Sequence, residues 1–193
     1  MKPIERIQLF QMRNMLLENA LDDLEASHSL DLGRDIDVPI DKDPDYYPQF
    51  EEDLRNEAKV MSSHYEAFYC LERSIRRLIN EKMTDFYDAS WWGEKVKDDV
   101  KNSVRLNIKR ELDAGITPRS DSPLDYTTFG ELGDIVRKNW EAFDDLFNSQ
   151  KAFNRIMTNL NIMRGPIAHS CPIHKSESIR LGLTIEDWFR LME

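Results

Sequence analysis

Tyr65-Glu66-Ala67-Phe68-Tyr69-Cys70-Leu71-Glu72-Arg73-Ser74-Ile75-Arg76-Arg77-Leu78-Ile79 returns an apolar side chain every third or fourth position, which is the period of an α-helix and not of a strand. Val60 carries the stripe backward, so Val60, Tyr65, Phe68, Leu71, Ile75, Leu78 and Ile79 predict one long central helix over residues 51–83. Alternation of the strand type is scarce elsewhere, with residues 178–183 the only short candidate. The chain therefore reads as all-α, most economically an antiparallel helical bundle.

Working outward, residues 87–92 punctuate the central helix and a charged helix follows over 93–113, with Val96, Val100, Val104, Leu106 and Ile108 as its apolar side. Gly115, Pro118 and Pro123 then mark an irregular connection. Thr128-Phe129-Gly130-Glu131 has the spacing of a capping box, in which hydroxyl and carboxylate satisfy each other's nearby backbone donors at a helix start. A helix is expected from there to Trp140, another over residues 149–163, and a last one opened by Thr184 and Asp187. Upstream, Ile4, Ile7, Phe10, Leu17, Ala20, Leu21 and Leu24 predict an amphipathic helix over residues 3–27. Residues 28–48 hold Gly33, Pro39, Pro44, Pro48 and six aspartates, too little apolar surface for a core, and read as an acidic linker. The expected organisation is an N-terminal helix and acidic linker over 1–54 and a helical domain over 55–193.

The 193 residues carry a net charge of −10, which argues against nonspecific coating of nucleic acid, where cationic surface meets phosphate. That charge is uneven. Residues 31–53 hold nine acids against two bases, whereas 148–180 hold Lys151, Arg155, Arg164, Lys175 and Arg180 against Glu177 alone. Taken singly, such runs are solvated faces. No apolar run of membrane-spanning length and no signal-peptide pattern occurs, so a soluble, cytoplasmic protein without a membrane partner is expected. Two cysteines, Cys70 and Cys171, are too few for a disulfide framework and are expected to be reduced.

The basic stretch contains Arg164-Gly165-Pro166-Ile167-Ala168-His169. A guanidinium can grip a phosphate through parallel hydrogen bonds, and an imidazole can carry a proton near neutrality. Five positions on a regular helix turn through about 140°, so the two side chains share a cleft only if the backbone bends. Pro166 lacks a donor and disfavours helical geometry at Gly165, which predicts that the helix stops near Arg164 and the chain turns there.

With Leu71-Glu72-Arg73-Ser74-Ile75-Arg76-Arg77-Leu78-Ile79 upstream, Trp91-Trp92 between, and the closing segment 184–191, this Arg-x4-His motif resembles the HEPN superfamily. The likeness is to the branch of bacterial defence proteins and of a eukaryotic RNA-surveillance endonuclease, and covers roughly residues 55–193. It implies a homodimeric helical domain in which Arg164 and His169 from two chains converge on one RNA-cleaving site, without metal or other cofactor. Arg164 would clamp the phosphate and His169 would act as general acid or base. Lys151, Arg155 and Lys175 would bind RNA, and a toxin or antiphage role under an antitoxin or sensor protein would follow. Where the family commonly has Asn after the motif Arg, this chain has Gly165, which removes an auxiliary hydrogen bond.

Plainer readings stand beside these. Glu72 and Arg76 are either an intrahelical ion pair worth about 0.3–0.5 kcal/mol or, in the functional reading, Glu72 orients Arg164 or His169. Cys171-Pro172-Ile173-His174 has zinc-like spacing, yet no second Cys or His pair completes a four-ligand site, and a buried thiol is expected. Trp91, Trp92, Trp140, Phe143, Phe147, Trp188, Met157 and Met163 read as core or interface. The alternative to a nuclease is a silent HEPN module that binds RNA, nucleotide or a protein; a structural adaptor built on the N-terminal helix is a third reading.

Overall fold

The computed structural model describes residues 46–193; the expected helix over 3–27 and most of the acidic linker lie outside them. The chain divides into two units, Met1–Phe50 and Glu51–Glu193. Of the first, the described part is one 3-10 turn, Tyr47–Gln49, with Pro48 inside it.

The second unit is all helical among its described residues. Helix α1, Glu52–Tyr87, buries Phe68, Leu71, Ile75, Ile79 and Met83 at steps of three and four. Val60 and Tyr65, at the head of the expected stripe, are instead exposed. The helix ends at Asp88, whose positive φ of 73° is held by its carboxylate accepting the Ser90 N–H at 2.6 Å.

The single helix expected over 93–113 is two. Helix α2, Trp91–Lys95, stops at an extended Val96, and α3, Asp98–Asp113, restarts with Asp98 and Asp99 in its first turn. Buried Val96, a β-branched residue at ease in extended backbone, fills the joint, and the two acids oppose the helix dipole where α3 begins. A 3-10 turn, Pro123–Tyr126, then buries Leu124 and Tyr126. Helix α4, Phe129–Lys138, opens on the capping box: Glu131 N–H donates to Thr128 Oγ1 at 3.3 Å and Thr128 N–H to Glu131 Oε2 at 2.6 Å.

Helix α5, Gln150–Ala168, starts where Ser149 caps it through the Ala152 N–H, and runs five residues past the expected end. Pro166 lies inside it. The expected break fails for a local reason: the clash that a proline imposes on its predecessor is partly with the Cβ, which Gly165 lacks. Ile162, whose carbonyl loses a donor to Pro166, is exposed, so water can replace the bond. The helix stops at Ser170, with φ at 54° and Cys171 N–H donating to Pro166 O at 2.9 Å, the Schellman pattern.

Helix α6, Lys175–Arg190, also departs from expectation. Residues 178–183 are helical, not a strand, and Thr184 sits mid-helix, buried, donating to Arg180 O at 2.7 Å. The start is His174, whose Nδ1 accepts the Ser176 N–H. Buried Leu181, Thr184, Trp188 and Leu191 recur at helical steps that outweigh the brief alternation. Helices α5 and α6 form a hairpin, α4 and α5 pack together, and α1 lies against both α4 and α5. Phe143, Phe147, Phe153 and Trp188 form the aromatic centre, with Trp140 stacked on Phe147. The aromatic and methionine residues expected in the core are buried or packed against it.

Candidate functional site

The site starts with Arg76, a charged residue only 8% exposed. Burying a guanidinium is costly unless its donors are all met, and the turn after α3 supplies acceptors. Arg76 Nη1 donates to Leu124 O and to Thr127 Oγ1 at 2.8 Å, and Nη2 donates to Thr127 O at 2.9 Å and to Glu72 Oε1 at 2.5 Å. The other oxygen of Glu72 accepts from Arg164 Nε at 3.2 Å. One carboxylate thus bridges two arginines, and the connection runs from the Pro123–Tyr126 turn through α1 to α5. Glu72 is at once the intrahelical partner of Arg76 and a hydrogen-bond partner of Arg164.

Nε fixes the direction of the Arg164 guanidinium and leaves its Nη groups without a hydrogen-bond partner among the described residues. Arg164 lines an open cleft of about 400 Å³. Four arginines line it, Arg73, Arg76, Arg119 and Arg164, against Glu72 and Asp125, a local excess of positive charge on an acidic chain. Arg73 pairs with Asp125 at 3.0 Å, and Asp125 also accepts from Ser120 Oγ at 2.6 Å. Arg119 donates through Nε to Glu111 at 2.6 Å and lies 5.0 Å over the Tyr126 ring. That hydrogen bond holds the Glu111 carboxyl below its ordinary range. The arrangement can hold a phosphate and can steady negative charge developing on it.

His169 is elsewhere. It caps the C-terminus of α5, exposed, its N–H donating to Gly165 O at 3.1 Å. Its ring has no hydrogen-bond partner among the described residues and does not line the cleft, although Ile167 and Ala168 do. With the helix unbroken, Arg164 and His169 diverge by about 140° within one chain. Lys151 and Arg155 are exposed on the first half of α5 and Lys175 at the start of α6, and none lines the cleft. Arg155, nine residues before Arg164, falls about 180° away from it.

Cys171 is exposed, not buried: it lies past the end of α5, where Sγ is 3.5 Å from His169 O. Cys70 is likewise exposed, and both thiols are free. Among the described residues no cluster of three or more His, Cys, Asp or Glu side chains is placed to hold a metal ion, and no helix is long and apolar enough to cross a membrane. Residues that sequence reading passed over include Arg119, which a loop brings to the cleft, and His64, whose Nε2 lies 3.1 Å from Ser178 Oγ and ties the first half of α1 to α6. Tyr65 and Tyr69 also line the cleft. Their spacing with Arg73 and Arg76, at steps of three and four along one helix, was the available signal; for Arg119 there was none.

A model of the Swt1-like HEPN family matches residues 66–193, well over half of the chain. No curated protein and no solved structure matches it.

Proposed function

Because the chain belongs to the Swt1-like HEPN family, we propose that it is an endoribonuclease that cleaves RNA by attack of a ribose 2′-hydroxyl on the adjacent phosphate. The observation that carries this is Arg164, held through Nε by Glu72 and lining an open cleft that three further arginines share. A base removes the 2′-hydroxyl proton, the oxygen bonds to phosphorus, and the bond to the 5′-oxygen breaks as that oxygen takes a proton from an acid. Arg164 steadies the phosphorane between. The products are a 2′,3′-cyclic phosphate and a free 5′-hydroxyl, and no metal is needed for either proton transfer.

His169 is the proton carrier in this proposal. One imidazole fills one proton role at a time, and on its own chain His169 lies away from the Arg164 cleft. A two-fold homodimer answers both points, since a second copy brings a second imidazole to the shared site. Residues 55–193 form the nuclease domain and 1–54 an acidic extension able to compete with phosphate for the arginines. A toxin or antiphage role, with an antitoxin or sensor as restraint, fits such an enzyme, and growth arrest on expression that His169→Ala relieves would support it.

The test is incubation of the wild type and His169→Ala with mixed RNA in excess chelator, followed by end-group analysis. Cyclic phosphates from the wild type alone are expected. RNA left intact in chelator and cut only when metal is returned overturns the proposal. The unbroken α5 and Gly165 favour a second reading, a silent module that binds RNA without cutting it; wild-type protein that retains RNA but yields no fragments would establish that one.

A further inference from the structure

Two exposed aromatic rings stand at the mouth of the arginine cleft. Tyr65 and Tyr69 are one helical turn apart on α1, 60% and 55% exposed, with ring centroids 6.0 Å apart and planes inclined by 31°. Exposed aromatics occurring singly need no explanation. Here both rings line the same cleft as Arg73 and Arg164, and neither phenol hydroxyl has a hydrogen-bond partner among the described residues. The pairing of flat apolar faces with guanidinium groups is what an unpaired nucleotide needs: a surface on which the base stacks, and cations for the phosphates on either side.

We infer that Tyr65 and Tyr69 form a stacking subsite for one unpaired nucleobase of the RNA, with Arg73 against its phosphate, so that the ligand is single-stranded. The size of the cleft, about 400 Å³, lies at the small-ligand end of the usual range and suits one nucleotide. A duplex would be excluded because its bases are already stacked on one another and cannot present a face to the rings. Arg73 is placed for this role because its tie to Asp125 is an exposed one, the Arg73 side chain being 44% accessible; such pairs are weak and exchange readily for a phosphate. Stacking accepts any base, so the subsite selects strandedness more than sequence. The inference rests on the ribonuclease proposal only in naming RNA as the ligand.

The experiment uses the full chain and a fluorescein-labelled 2′-O-methyl oligonucleotide, which lacks the attacking hydroxyl and cannot be cleaved, as a single strand and annealed to its complement. Wild type is expected to bind the single strand more tightly than the duplex. Tyr65→Ala and Tyr69→Ala should each weaken single-strand binding by at least about fivefold and leave duplex binding within about twofold, while Tyr65→Phe and Tyr69→Phe retain wild-type affinity. Circular dichroism melting and light scattering on the same samples establish that fold and oligomeric state are kept. The inference is overturned if wild type does not bind the single strand, if the alanine variants bind it as well as wild type, if phenylalanine fails as badly as alanine, or if the loss merely follows dissociation of an oligomer. Unmodified RNA separates the two proposals: tyrosine-dependent binding without cleavage leaves the subsite standing and removes the nuclease.

Discussion

Arg164 and His169 lie five residues apart on α5 and are held very differently. Arg164 is tied by Glu72, which is tied by Arg76, which is tied in turn to the carbonyls of Leu124 and Thr127. His169 ends the helix in solvent, its ring without a hydrogen-bond partner among the described residues. A group that must meet a phosphate at a fixed angle gains from such fastening, because a flexible arginine loses freedom when it binds. In the proposed homodimer, a group that completes its site across the two-fold axis needs only to be accessible.

The largest effects should come from the two residues themselves. Arg164→Ala is expected to lower cleavage by about 10²–10³-fold and His169→Ala by about 10²–10⁴-fold, both measured under single-turnover conditions. If the difference in fastening is functional, neighbours of Arg164 should matter and neighbours of His169 should not. Glu72→Gln is expected to cost about tenfold in kcat with little change in KM, whereas Ser170→Ala leaves both unchanged. Arg76→Ala should lower unfolding stability by about 2–3 kcal/mol, read by urea denaturation, because Thr127 O loses its donor and the Glu72 carboxylate loses one of its two arginines.

Smaller effects sharpen the same contrast. Pro166→Ala restores the donor to Ile162 O within an already continuous helix and should stabilise the protein by about 1 kcal/mol; destabilisation would show that the proline sets the path of the chain toward His169. Behind the cleft residue Arg119, the Glu111 carboxyl is held below its ordinary value of 4.5 because Arg119 hydrogen-bonds it. The folded form then binds fewer protons than the unfolded one. This contribution is present above that ordinary value and is lost as pH falls through the lowered folded value. Glu111→Gln should therefore flatten the acid limb of the stability profile slightly, by lowering stability a little near neutrality while leaving it unchanged in strong acid.

Much of this was legible in the residues. The stripe from Phe68 to Ile79 is a core face because each member is three or four positions from the next, and the Thr128–Glu131 box marks a helix start by chemistry that needs no tertiary partner. Local rules failed where two of them competed. Pro166 argued for a break and Gly165 in front of it removed half of the reason; in α6, Thr184 resembled a cap but was needed in the core. Glu72 was readable as a neighbour of Arg76 from their spacing, and its bond to Arg164 was one of the two readings held open. Arg119 and Asp125 could not be read at all, since they reach the cleft through a loop whose path depends on the buried Leu124 and Tyr126.

The central claim, that a fixed guanidinium at position 164 grips the scissile phosphate, is tested most directly by chemical rescue. Guanidinium ion added at millimolar concentration to Arg164→Ala should restore part of its RNA cleavage and should do nothing for His169→Ala. Cleavage by Arg164→Ala at the wild-type rate, or equal stimulation of both variants, would contradict the account.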